Sequence, residues 1–171
     1  MHDPFHGRID IDKKLVKYVT DFASVSTGFD IFKALKGLCA EYGFDWFCIF
    51  AFSDSGDEPF KQRVVVTNWH PELVERISIV PDLCKFAPVV RIHSSNIPTV
   101  LRFDGAGDNV IEPEFDRIFS ENGHDYALFL PLSSLSDFNG AVAFSGRGES
   151  PPAHVVMEVA YLCNHLHEPL N

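Results

Sequence analysis

Two pairs of short, apolar, strand-like runs constrain the fold of this chain more than any other feature. Each run is dense in aromatic, β-branched or other apolar residues, and a turn rich in Gly, Asp, Asn or Ser separates the members of each pair, which predicts two β-hairpins. The first pair is 44–52 and 62–69, and the second pair is 126–132 and 141–145. The sequence therefore predicts an antiparallel sheet.

Helical periodicity flanks these strands at both ends of the chain. Apolar residues recur at helical spacing in several runs, one of which is followed by Gly43 as a stop signal, while Pro71 begins another. The helical runs are 11–23, 27–42, 71–79, 84–92, 112–122 and 151–166, with an extended segment at 98–103 and an acidic loop at 104–109. We therefore expect an α+β fold, an α/β/α sandwich in which helices flank a central antiparallel sheet of about five strands. Residues 1–171 are expected to form a single domain.

The charge balance excludes two classes of partner. The chain has 24 acidic and 14 basic residues, a formal net charge of −10. A protein that binds nucleic acid or an anionic membrane directly needs a basic surface, and this composition disfavours one. The first residues do not have the pattern of a signal peptide, and no apolar run is long enough for a membrane span. We expect a soluble, cytoplasmic protein.

Cysteine and histidine do not form a recognisable metal site. Cys39, Cys48 and Cys163 lie in apolar runs, which predicts buried, reduced thiols. Cys163 and His167 share one helical face, but no third ligand is close in sequence, so we expect no metal and no cofactor. The isolated His124 is expected to have a surface or packing role.

No arrangement of residues points to catalysis. The segment 145–150 lacks the GxSxG pattern of a nucleophile elbow and the GK[ST] ending of a phosphate loop. We therefore do not expect an enzyme. The 16 phenylalanines fit an aromatic-lined cavity or an aromatic core equally well.

Three segments of the chain resemble one known family. They are Thr67–Leu73 (TNWHPEL), Phe86–Val90 (FAPVV) and Ile97–Leu101 (IPTVL), and the helix 115–123 and the strands 128–132 and 140–145 follow in the same order. This arrangement is similar to the autoinducer-binding domain of LuxR-type quorum-sensing regulators. The resemblance implies a ligand-sensing and dimerisation domain of a transcription regulator, on a sandwich fold that agrees with the expected one.

The resemblance also implies a ligand-binding set. It consists of Trp69, Leu73, Ile77, Ala87, Val89, Leu101, Phe115 and Ser145. Trp69 can keep the family's pocket-lining role, and Ser145 lies close to a strand hydroxyl that contacts the ligand in relatives. Leu73 and Ile77 stand where the family has aromatic residues. Ala87 replaces the Asp that accepts the ligand amide N–H, and Leu101 replaces the Trp that donates to the lactone carbonyl.

These departures predict an orphan member of the family with a different, more hydrophobic ligand, or a cavity filled by its own side chains. We expect a homodimer, or a heterodimer with a related regulator, formed through the apolar last helix. DNA would be bound only through a helix-turn-helix domain, which is absent from these residues; a sensor part of a longer regulator and a naturally short relative both stay open. The competing interpretation is an unrelated small-molecule binder or enzyme on a similar sandwich fold.

Overall fold

A computed structural model of the protein describes residues 4–52, 58–80, 97–103, 113–133 and 139–165. These ranges form six helices and five strands. The helices are α1 (Pro4–Ala23), α2 (Gly28–Tyr42), α3 (Phe60–Arg63), α4 (Pro71–Ile79), α5 (Pro113–Glu121) and α6 (Ala153–Cys163). The strands are β1 (Trp46–Ala51), β2 (Val64–Thr67), β3 (Thr99–Arg102), β4 (Tyr126–Ser133) and β5 (Asn139–Gly146).

The five strands form one sheet in the order β2-β1-β5-β4-β3, and every pair of neighbours is antiparallel. β4 and β5 form a hairpin whose register pairs Ser133 with Asn139 and Tyr126 with Gly146. β1 then pairs along the whole of β5, from Trp46 opposite Ser145 to Ala51 opposite Gly140. The two predicted hairpins thus meet at the centre of the sheet, and the predicted fold class is confirmed.

Local sequence signals determine both ends of α2. Thr27 is the N-cap, its hydroxyl accepts a hydrogen bond from the backbone N–H of Asp30, and the Asp30 carboxylate accepts one from the backbone N–H of Thr27. This reciprocal capping box satisfies N–H groups that have no partner within the helix. Gly43 ends the helix with φ of 80°, a left-handed conformation that glycine adopts without strain. The predicted boundaries of this helix are confirmed.

The structure corrects three predicted boundaries. The first helix begins at Pro4 rather than at residue 11, and the last spans Ala153–Cys163 rather than 151–166. In the predicted strand 62–69, Gln62 and Arg63 instead belong to the short helix α3, which begins after Pro59 and buries Phe60 and Arg63. The predicted helix at 84–92 and the predicted loop at 104–109 lie outside the described residues.

Helices cover both sides of the sheet, as a sandwich requires. α1, α2 and α6 cover one side, which we call the α2/α6 face, and α3, α4 and α5 cover the other, which we call the α4/α5 face. Cys39 and Cys163 are buried on the first side and Cys48 on the second, all as free thiols, which confirms the prediction for these three residues. Within the described ranges, no helix is long and apolar enough to cross a membrane.

Candidate functional site

The middle strand of the sheet, β5, presents small residues to the α4/α5 face. Side chains alternate along a strand, so Val142 and Phe144 of β5 face α2 and α6, whereas Ala141, Ala143 and Ser145 face α4 and α5. The antiparallel register places Ala127 of β4 opposite Ser145. The small side chains therefore form a contiguous patch on adjacent strands, with Cys48 of β1 next to Ala143.

Large aromatic side chains from the helices and the neighbouring strands cover this patch. Phe119 of α5 stacks face to face on Phe103, with ring centroids 4.4 Å apart, and lies edge-on to Trp69 at 5.6 Å. Phe60 of α3 contacts Trp69 on one side, at 6.2 Å, and Phe50 on the other, at 5.2 Å. A continuous series of rings thus runs over the small residues of the sheet, which gives this side of the molecule an aromatic lining.

The backbone next to β1 fixes the position of Trp69. The Thr67 hydroxyl accepts a hydrogen bond from the backbone N–H of Trp69 (2.9 Å) and donates one to the carbonyl of Phe47 (2.8 Å). The Asn68 side chain accepts a hydrogen bond from the backbone N–H of Phe47 (2.7 Å). The Thr-Asn-Trp sequence therefore ties the end of β2 to β1 and turns the indole of Trp69 into the buried cluster, where it is 4% exposed.

Three polar groups are buried together beside this lining. The indole Nε1 of Trp69 donates a hydrogen bond to Ser145 Oγ at 3.1 Å. Nδ1 of His124 lies 2.9 Å from the same hydroxyl oxygen. Ser145 is fully buried and His124 is 1% exposed, so this trio, Trp69–Ser145–His124, is a polar network within an apolar interior.

The end of α5 positions His124. Gly123 has φ of 85°, and the backbone N–H of His124 donates to the carbonyl of Phe119, so the chain turns back under the helix. The imidazole stacks on Trp46 at 4.0 Å, with Trp69 and Phe119 edge-on to it. Burial lowers the pKa of His124 to about 4, and Asp45 partly opposes this effect. The imidazole is therefore neutral at physiological pH, with one N–H donor and one acceptor nitrogen.

The structure brings most of the predicted ligand-binding set together. Trp69, Leu73, Ile77, Leu101 and Phe115 are buried in one hydrophobic cluster on the α4/α5 face, and Ser145 adjoins it through Trp69. Ala87 and Val89 lie outside the described residues. That these residues bind a ligand stays a prediction, but their shared location is what a single binding compartment requires.

Sequence reasoning included Ser145 in the ligand-binding set but missed His124 and the two alanines of β5, Ala141 and Ala143. Ala141, Ala143 and Ser145 recur with a period of two, a signal that one face of β5 is built from small side chains. His124 gave no such signal, because its hydrogen-bond partner Ser145 lies 21 residues away in sequence. Only the pairing of β4 with β5 brings the two together.

Chemically, this arrangement suits recognition of a small molecule better than catalysis. The trio supplies neutral donors and acceptors, and burial raises the pKa of the nearby Cys48 thiol to about 12, which keeps it protonated and unreactive. In the part of the chain that the structure describes, no group of three His, Cys, Asp or Glu side chains is arranged to hold a metal ion.

Comparison with known proteins agrees with this assessment. The family model described as "Autoinducer binding domain" matches residues 27–170. Among curated proteins, no sequence matches the chain.

Solved structures with the same fold include the following three. One is CepR2 from Burkholderia cenocepacia, an N-acylhomoserine lactone-dependent LuxR-family transcription factor, at 16% identity and a TM-score of 0.63 over 91% of this chain and 90% of that one. The phycoerythrobilin-bound GAF domain of a cyanobacterial phytochrome is 11% identical, with a TM-score of 0.63 over 92% of each chain. The chromophore-binding domain of the R. palustris bacteriophytochrome RpBphP3 is 8% identical, with a TM-score of 0.65 over 94% of this chain and 61% of that one. At these identities the likeness is one of fold.

Proposed function

The chain belongs to the autoinducer-binding domain family, and from that membership we propose that it is the ligand-sensing domain of a LuxR-type transcription regulator. An autoinducer-binding domain is a ligand-binding module rather than a class of enzyme. The observation that carries the proposal is the aromatic, buried cluster on the α4/α5 face, which contains Trp69, Leu73 and Leu101. The fold likeness to the LuxR-family factor CepR2 supports the same assignment.

The ligand is a hydrophobic small molecule that differs from the common acyl-homoserine lactones. Leu73, Ile77 and Leu101 are buried and have no hydrogen-bonding group, so an amide or lactone carbonyl placed against them lacks partners. Each buried polar group left without a partner costs about 1–3 kcal/mol. Two such losses weaken binding about a hundredfold or more. The sequence adds Ala87 as a further apolar position where the family has a carboxylate.

A thermal-shift titration with acyl-homoserine lactones of increasing chain length tests this ligand class. A tight ligand raises the unfolding midpoint by mass action, whereas these lactones are expected to leave it unchanged at micromolar concentration. Buffer with the matching free fatty acids serves as the control for nonspecific apolar binding. A clear rise in the midpoint with any micromolar lactone contradicts the proposed loss of the lactone anchors.

We further propose that the domain forms a homodimer, or a heterodimer with a related regulator, through α1 and α6. Much of the apolar arc of α6 packs inside the monomer, since Val159, Leu162 and Cys163 are buried. The surface that supports the proposal lies beside this arc, where Val16 and Met157 are exposed. A groove of about 340 Å³ also opens between the two helices; its lining is Leu15, Val16, Val19, Thr20 and Tyr161. DNA is contacted only through a helix-turn-helix domain.

Light scattering at about tens of micromolar protein tests the dimer. Met157→Glu places a charge in the proposed interface and is expected to shift the protein to a monomer, because an unpaired charge in an apolar interface is costly. Ile79→Glu is the matched control, because Ile79 is equally exposed but belongs to α4, on the other side of the sheet. A wild-type monomer at this concentration, or equal effects of the two substitutions, argues against the α1/α6 surface.

A further inference from the structure

Helix α4 rests on the α4/α5 face through a narrow apolar stripe. Of its nine residues, Leu73 and Ile77, one turn apart, are buried, Val74 packs beside them half-buried, and Ile79 is 77% exposed. Helix α5 also has nine residues, but it buries three, two of them aromatic: Phe115, Ile118 and Phe119. Because the free energy of burial rises with the apolar area removed from water, α4 is held on the sheet less firmly than α5.

The two sides of α4 are attached to their neighbours in different ways. Towards α3, the backbone N–H of Lys61 donates a hydrogen bond to Ser78 Oγ (2.9 Å), and the Lys61 ammonium pairs with Glu75 (3.3 Å). Towards α5, the polar link is an ion pair between Arg76 and Glu121 (2.6 Å), whose side chains are 29% and 51% exposed. An ion pair this exposed contributes little to stability, because water screens it and two long side chains must be ordered. The α5 side of the helix is therefore the one that separates more readily.

The residues at the start of α4 provide a hinge. Trp69 is fixed, since it is 4% exposed and its backbone N–H donates to the Thr67 hydroxyl. The next two residues, His70 and Pro71, are exposed. The N-cap moves with the helix, because Nδ1 of His70 accepts a hydrogen bond from the backbone N–H of Glu72 in the first turn. A fixed residue followed at once by exposed residues at the end of an element is a suitable place for a hinge.

We propose that α4 is a lid over the α4/α5 face: it swings away from α5 about His70 and Pro71, and the Arg76–Glu121 ion pair is its latch. This inference rests on the proposed ligand-sensing function and gives the route by which an apolar ligand enters. Opening uncovers the surface beneath Leu73 and Ile77, while the opposite face of the sheet stays closed. The latch sets how often the lid opens, because only the closed state makes this contact.

Three buried thiols report on the two faces separately. Cys48 lies in the same cluster as Leu73 and Ile77, whereas Cys39 and Cys163 lie on the α2/α6 face. Burial raises the pKa of each of these thiols, so iodoacetamide alkylates them only when an opening of the structure exposes them to water.

Initial alkylation rates in native buffer, mapped peptide by peptide, test the lid. Cys48 is expected to react about tenfold faster than Cys39, since opening one helix costs less than unfolding the whole domain. The closed structure favours the reverse order, because Cys39 is 5% exposed and Cys48 is fully buried. Cys84 lies outside the described residues and is followed as a separate peptide.

Variants of the ion pair test the latch. Glu121→Gln is expected to raise the alkylation rate of Cys48 about two- to fivefold, the range that an exposed ion pair supports. Arg76→Gln should do the same, and the double variant should exceed neither single variant, because both substitutions remove one interaction. Glu41→Gln is the matched control and should leave the Cys48 rate unchanged, since it breaks the Lys14–Glu41 pair (2.9 Å), which is also partly exposed but joins α1 to α2.

The outcomes separate the lid from a general opening of the domain. Equal rates for Cys48 and Cys39 mean that the domain opens as a whole, which overturns the lid. A Cys48 rate that Glu121→Gln leaves unchanged, or that Glu41→Gln raises by the same factor, overturns the latch and with it the inference. No ligand takes part in these measurements, so their failure is distinguishable from a failure of the proposed sensing function.

Discussion

The two faces of the sheet differ in which elements supply the large side chains of the core. On the α2/α6 face the strands themselves contribute large side chains, such as Phe47, Ile49 and Phe144, and helices add Leu35 and Leu38. On the α4/α5 face the middle strand β5 contributes only small residues, and the large side chains come from the helices and from the strands on either side of β5, such as Phe50 of β1 and Phe129 of β4. Among the residues that the structure describes, the buried polar trio lies on the α4/α5 face.

This difference indicates that the two faces of the sheet have different roles. A face filled by interdigitated large apolar groups stabilises the fold, and its close packing leaves no room for a ligand. A side with small residues on the strands and hydrogen-bonding groups under a layer of rings can form a compartment that distinguishes one molecule from another. Alternate residues of β5 serve the two roles, so adjacent substitutions on this strand provide a direct comparison.

The largest expected effect is that of Phe144→Ala on the α2/α6 face. Phe144 is fully buried and stacks on Phe44 with centroids 5.0 Å apart, so truncation should lower the free energy of unfolding by about 3–5 kcal/mol. Urea denaturation measures this loss. Phe29→Ala is the matched control, because Phe29 is exposed and its loss should cost within about 0.5 kcal/mol. Similar costs for the two variants contradict the assignment of this face as the structural core.

A smaller effect is expected from Ser145→Ala on the α4/α5 face. The substitution leaves the buried indole N–H of Trp69 without its acceptor, so the free energy of unfolding should fall by about 1–3 kcal/mol. Ser24→Ala removes a comparable hydroxyl, whose hydrogen bond to the carbonyl of Asp21 is exposed, and should change stability little. A stability of Ser145→Ala equal to that of the wild type means that the trio does not contribute to the folded state.

The pH dependence of stability sharpens the comparison because it isolates His124. The unfolded chain binds a proton at this residue near pH 6.5, whereas burial lowers the pKa in the folded state to about 4. Between these values the unfolded state binds more protons, so the stability contribution of the neutral imidazole is present above pH 6.5 and is lost as the pH falls toward 4. Asp45 and Asp125 oppose the shift and Arg147 adds to it, so these charged groups face the ring as well.

Urea denaturation at pH 7 and pH 5 measures this contribution as a difference between two proteins. The wild type should lose about 1–2 kcal/mol more than His124→Gln over this interval, since one pKa unit corresponds to about 1.4 kcal/mol. The glutamine variant carries the same carboxylates and the same other histidines, so their titration cancels. Equal losses in the two proteins indicate that the His124 imidazole titrates in the folded state as it does in the unfolded chain.

The two faces also differ in how far the sequence predicts them. Local signals sufficed for most elements: helical periodicity, Gly43 after α2 and the apolar strands predicted the strands and the layers, but not the short helix α3. The family resemblance grouped Trp69, Leu73 and Leu101, which the structure places in one cluster. The sequence did not predict the conformations of His124 and Gln62, because both depend on residues distant in sequence. His124 contacts Ser145. Gln62 belongs to α3, whose Phe60 packs against Phe50 and Trp69.

The smallest expected effect comes from enlarging Ala143, and it tests the comparison most directly. Ala143 is fully buried between Cys48 and Phe129 in the register of the sheet, and its neighbour Val142 faces the opposite side. Extra methyl groups forced into a closely packed core cost about 1–3 kcal/mol, so Val142→Leu should show such a loss.

If the α4/α5 face has room for a ligand, Ala143→Val should change the free energy of unfolding by less than about 1 kcal/mol, because a β-branched residue suits a strand and the added methyl groups occupy that room. The same variant should also weaken binding of a small apolar probe such as ethylbenzene, since probe and side chain then compete for one volume. Losses of equal size from the two substitutions mean that both faces are filled to the same density, and the small residues of β5 are then part of a second closed core.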